Sequence, residues 1–161
     1  MTPRKFVRKK KIVQVDEHDE WVAVRGVEPM EKGPTPPAFI GTPELIKAGW
    51  RFLRPQDVSP LLKAEKAKVF VTKGRILLAP GRVVAKFEPS QTSEEIDQLL
   101  APLDLRVVGK LSFAPNLFEI EPRGTELRDA LEVAEALGRI RSCEFAEPIF
   151  LEFLGGREVA A

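Results

Sequence analysis

GRVVAKFEPSQTSEEIDQLLAPLDLRVVGKLSF, residues 81–113, carries the pattern on which the fold turns. Its first nine residues alternate. Val83, Ala85 and Phe87 fall on one face, Val84, Lys86 and Glu88 on the other, and Pro89 closes the run. Period two describes a half-buried strand. Thr92 and Glu95 then stand at capping-box spacing. Ile96, Leu99, Leu100 and Leu103 follow at i, i+3, i+4 and i+7, one helical stripe that Pro102 ends or kinks. Alternation returns at 105–113, with Leu105, Val107 and Leu111 opposite Arg106, Val108 and Lys110.

Working outward, "APN" (114–116) turns the chain into "LFEIEP" (117–122), with Phe118 and Ile120 inward and Glu119 and Glu121 outward. "RGTELRDALEVAEALG" (123–138) reads as a second helix. Thr125 is its expected N-cap, Leu127, Ala130, Leu131, Ala134 and Leu137 its stripe, and Gly138 its left-handed C-terminal glycine. "IRSCEFAEP" (140–148) supplies a fourth strand. The order βαββαβ predicts an α+β fold, a ferredoxin-like sandwich with an antiparallel sheet and both helices on one face.

Upstream lies what reads as a degenerate, β-rich copy. "EWVAVRGVEP" (20–29) matches "GRVVAKFEP", "GWRFLRP" (49–55) matches "NLFEIEP", and Val69-Phe70-Val71 matches Ile149-Phe150-Leu151. "EPMEKGPTPPAFIGTP" (28–43) is loop, and "TPELIKAG" (42–49) a shortened helix. "KVFVTKGRILLAPGRVVAKF" (68–87) predicts a meander turning at Gly74 and Pro80-Gly81. The expected division is 1–79 and 80–161.

Composition bounds the chemistry. Hydrophobic residues make up 43% and charged ones 30%, enough for a globular core, and net charge is +1, so no global field points to nucleic acid or a membrane. "MTPRKFVRKKKIV" (1–13) reads as a solvated, frayed terminus, and with no apolar run after it the chain as written is expected to be cytoplasmic. Cys143 is alone and reads as a small buried residue. His18, in "VDEHDEW", reads as an exposed imidazole on a turn. No nucleophile elbow, phosphate loop or calcium-loop ladder is present, so neither an enzyme nor a cofactor or metal is expected.

Residues 80–150, with "VVAKFEP", "SEEI", Val107-Val108, "PNLF" (115–118) and "FAEP" (145–148), resemble the propeptides of subtilisin-like serine proteases, the fervidolysin type among them. Some bacterial members of that family also carry a degraded upstream copy. The catalytic Asp, His and Ser motifs of such proteases are absent from this chain. The resemblance therefore implies the prodomain's role, inhibition and folding assistance of a protease, in trans or in cis. In the family the open sheet face packs on two protease helices and the C-terminal tail lies in the active-site cleft.

Here the partner-binding candidates are Val84, Lys86, Val108, Lys110, Leu117, Glu119 and Glu121 on the sheet face, Phe145 and Glu147 in the closing motif, and Val159, Ala160 and Ala161 in the tail, with Gly155-Gly156 as its hinge. Residues 149–153 are expected to pair inside the fold with the meander, though a strand offered to a partner is the alternative. Two other readings stay open: a fragment of a longer zymogen, and a ferredoxin-like regulatory or assembly module with no protease partner.

Overall fold

The computed structural model describes residues 1–26, 35–58, 64–124, 126–154 and 157–160, from residue 153 onward by backbone alone. Among these, the chain runs β1 (Thr2–Arg8), β2 (Lys11–Arg25), α1 (Thr42–Lys47), β3 (Trp50–Leu53), β4 (Glu65–Thr72), β5 (Arg75–Ala79), β6 (Val83–Phe87), α2 (Ser93–Leu100), β7 (Leu105–Lys110), β8 (Leu117–Pro122), α3 (Ala130–Gly138), β9 (Cys143–Pro148), β10 (Leu151–Leu154) and β11 (Arg157–Ala160). The fold is mixed α+β, with antiparallel ladders between its named strands.

The second sheet has the order β7-β8-β6-β9. Val83, Ala85, Phe87, Phe118 and Ile120 point to one side, where Ile96 and Leu100 of α2 and Leu131, Ala134 and Leu137 of α3 complete a core. The start of α2 is held as its sequence demands: the Glu95 N–H donates to Thr92 Oγ1 at 3.2 Å, and the Thr92 N–H donates to Glu95 Oε1 at 3.1 Å. Such reciprocal caps contribute about 1 kcal/mol. α3 departs from expectation at both ends. Thr125 lies outside the described residues, Leu127 precedes the helix, and the cap is Asp129, whose Oδ1 accepts from the Leu131 N–H at 2.9 Å. Gly138 stays helical, and the C-cap is Arg139 at φ −81°.

The first sheet has seven strands in the order β1-β2-β4-β5-β10-β11, with β3 beside β2. Its middle strands are apolar on both faces. Ala67, Val69, Ile76 and Leu78 pack with Leu45 of α1, Trp50 and Phe52, while Phe70, Leu77 and Ala79 join the core of the second sheet. The segment 149–153 turns inward: Phe150 is buried, its ring 5.5 Å from that of Phe70, and Leu151 pairs with Leu78.

Two sequence expectations fail in this half. Residues 1–13 are no frayed terminus but β1, its turn and the start of β2 in one hairpin, because Phe6 and, further along β2, Val15 reach the shared core. Arg4 ties that arm to α3 through Asp129 at 2.8 Å and also pairs with Glu17. His18 sits within β2 rather than on a turn, at an irregular stretch between Glu17 and Val22, with its ring edge-on to Phe39.

Strand pairing links the halves residue by residue. β2 lies between β3 and β4 as β6 lies between β8 and β9. Val22 faces Leu53 and Lys68, as Val83 faces Ile120 and Pro148. Arg25 faces Trp50 and Glu65, as Lys86 faces Leu117 and Phe145. The same alignment equates "GWRFLRP" with "NLFEIEP" and Val69-Phe70-Val71 with Ile149-Phe150-Leu151. It also equates Gly49 (φ 99°) with Asn116 (φ 53°), the residues that enter β3 and β8 through left-handed backbone, a region open to Gly and tolerated by Asn.

Candidate functional site

The second sheet turns one face to its helices and the other away from them. Cross-strand partners share a face, so register decides which side chains lie on the outward one. Val84 faces Glu119 and Glu147, Lys86 faces Leu117 and Phe145, and Arg106 faces Glu121. Seven expected residues thus share this face: Val84, Lys86, Leu117, Glu119, Glu121, Phe145 and Glu147. Leu117 is nevertheless buried, at 3% exposure.

Two bulges shape its apolar relief. Between Val107 and Gly109 the register with β8 slips, which leaves Val108 as the extra residue opposite Glu119, at 47% exposure. The slip also moves Lys110 opposite Phe118, on the helix side of the sheet, so its expected place on the outward face is corrected. Between Lys86 and Phe87 the register with β9 slips in the same way, which leaves Glu144 as the extra residue beside Phe145, itself paired with Lys86 and 41% exposed. The alternation in the sequence carries no sign of either bulge.

Ion pairs fill the space between the apolar groups. Lys86 Nζ lies 3.1 Å from Glu144 Oε2, Arg82 Nη1 3.0 Å from Glu119 Oε1, and Arg106 Nε 2.7 Å from Glu121 Oε1. The face is therefore locally neutralised, with Val84, Val108 and Phe145 between the pairs. At its β9 edge, Glu147 Oε1 accepts the Lys9 N–H at 2.9 Å from the β1–β2 hairpin. Arg82, Arg106 and Glu144 were not among the expected site residues. The first two stand next to the expected strand positions, and the bulge places the third.

Val159 and Ala160 lie in β11, which pairs back on β10 (Leu151 with Ala160, Glu152 with Val159). This part of the tail is an edge strand of the first sheet rather than a free end. Ala161 and the hinge pair Gly155-Gly156 lie outside the described residues.

Elsewhere the electrostatics are structural. Burial pushes the Asp129 carboxyl up, but the hydrogen bond and charge of Arg4, the charge of Lys68 and the Leu131 N–H outweigh it and hold its pKa below the usual value. Burial raises the Cys143 thiol to about 11, which makes it a poor nucleophile. Among the described residues no group of three or more His, Cys, Asp or Glu is placed to hold a metal ion, and no helix is long and apolar enough to cross a membrane. What the outward face offers chemically is a firm sheet with apolar points among fixed charges.

The chain matches no family model, and no curated protein or solved structure is significantly similar to it.

Proposed function

We propose that residues 80–161 are a ferredoxin-like, prodomain-type module that binds and inhibits a subtilisin-like serine protease, or assists its folding, through the outward face of the second sheet. The observation that carries this reading is the outward face itself. The helices are both spent on the opposite side, and a bulge leaves Val108 exposed beside Phe145 among fixed ion pairs. The strand order β7-β8-β6-β9 with α2 and α3 in the two crossovers supports the ferredoxin-like assignment. The shared register of β3-β2-β4 supports the upstream half as a degraded copy of the same unit.

Apolar points would seat against partner helices, while the ion pairs of Glu119 and Glu121 would meet the polar rim of the contact. A tail-in-cleft contribution requires β11 to leave β10 first, so the sheet face is the primary contact and the tail a secondary one. The test is a titration of the protein against a subtilisin-like protease encoded beside it, with hydrolysis of a peptide substrate as the readout. Inhibition at micromolar protein, weakened at least tenfold by Phe145→Ser with Val108→Ser, is the expected result. No slowing of any such protease would end the proposal.

A further inference from the structure

The two tight hairpins of the first sheet solve one backbone problem with different residues. β4 and β5 are joined by Lys73-Gly74, with Thr72 paired to Arg75, and both turn residues have positive φ (49° and 73°). β1 and β2 are joined by Lys9-Lys10, with Arg8 paired to Lys11, and again both are positive (50° and 63°). Two-residue hairpin turns with positive φ at both positions favour Asn-Gly strongly. Glycine relieves the first turn. The second turn keeps lysine at both left-handed positions, where conformation argues against it, an outlier that invites a functional reading.

The surroundings of that turn are consistent with a contact surface. Lys5, Lys9, Lys10 and Lys11 are all exposed. Val7 and Ile12 form a cross-strand pair on the side facing away from the core, at 56% and 71% exposure. The next pair on that side is Lys5 with Gln14, and a carboxylate first enters it at Asp16. The tip is anchored from behind, since the Lys9 N–H donates to Glu147. A net charge of +1 conceals this local field.

We propose that the tip of the β1–β2 hairpin docks on an anionic lipid surface. Val7 and Ile12 enter the boundary between headgroups and acyl chains, and the lysines sit over the phosphates. An exposed aliphatic pair ringed by ammonium groups fits that boundary. It fits single-stranded nucleic acid poorly, because the nearby aromatic ring, Phe6, is buried and offers no stacking surface, and the aliphatic pair has no counterpart on a duplex backbone. The tip adjoins the outward face of the second sheet at Glu147, but Val7 and Ile12 lie on the first sheet.

The experiment sediments the full chain with phosphatidylcholine vesicles, with and without phosphatidylserine, alongside polyglutamate and duplex DNA at the same salt. Binding to the phosphatidylserine vesicles alone is expected, falling as salt rises. Lys9→Asn with Lys10→Gly suits the turn better, so the thermal midpoint holds or rises while vesicle affinity drops about twenty-five-fold, roughly fivefold per lysine. Ile12→Thr keeps a strand-forming residue and lowers affinity severalfold. The proposal is overturned by absence of binding to phosphatidylserine vesicles, by affinity unchanged in the turn variant, or by equal affinity for polyglutamate or DNA.

Discussion

The triplets β3-β2-β4 and β8-β6-β9 share order, direction and register, yet the face that is open in one is closed in the other. In the second, the side bearing Val84, Glu119 and Glu147 looks outward. In the first, the equivalent side bears Ala23, Phe52 and Ala67 and is core, closed by Leu45 of α1 and by Ile76 and Leu78. Arg25 stacks over Trp50 with 4.6 Å from its guanidinium carbon to the ring centroid, where Lys86 stands opposite Leu117. The backbone plan tolerates either assignment. The side chains at equivalent positions decide which face is closed, because a partly exposed carboxylate keeps its water and a buried one does not.

Exchanging residues between the triplets should break this comparison most sharply. Phe52→Glu places a carboxylate in the α1-side core and should cost more than about 4 kcal/mol, or prevent folding, as read by urea unfolding. The reciprocal Glu119→Phe should shift stability by less than about 1 kcal/mol. Equal costs would mean that both faces are closed.

Asp129 joins the halves, accepting from Arg4 and standing 3.7 Å from the Lys68 ammonium, both on the first sheet's strands, while capping α3. Asp129→Ala should cost about 2 kcal/mol, more than a cap alone, since Arg4 and Lys68 lose a partner. The folded pKa is depressed, so this contribution is present above the unfolded value of 3.8 and is lost as pH falls through the lower folded value. Urea midpoints should therefore fall more steeply below pH 4 in the native protein than in the variant.

The smallest effects should come from the outward face and from the thiol. Phe145→Ser and Val108→Ser should each change stability by less than about 1 kcal/mol, whatever they do to binding. Cys143, with its pKa raised to about 11, should resist alkylation at pH 8 until the protein unfolds.

The C-terminal elements were legible because each carries its own punctuation: Pro89 and Pro122 close strands, and Thr92 with Glu95 opens α2. The pairing of 149–153 with the meander was legible from the repeat of Val-Phe-Val in Ile-Phe-Leu. The N-terminal hairpin was hidden because Phe6, Val13 and Val15 alternate among cations and because Lys9-Lys10 carries no turn signal. The start of α3 differs from the expected Thr125 because Asp129 caps it and is held by Arg4, a residue distant in the chain that the local pattern does not show. The site was legible where alternation held. It failed at Lys110, because a bulge is a tertiary choice that a period-two pattern does not encode.

The central claim is that equivalent faces of the two triplets differ in being closed and open, and that the open one docks a protease. Thiol labelling of Glu119→Cys and Phe52→Cys, each with and without the protease, tests it most directly. The account predicts rapid labelling at 119 that slows on protease addition, and protection at 52 in both conditions. Protection at 119 in the protein alone, or labelling there that the protease leaves unchanged, would contradict it.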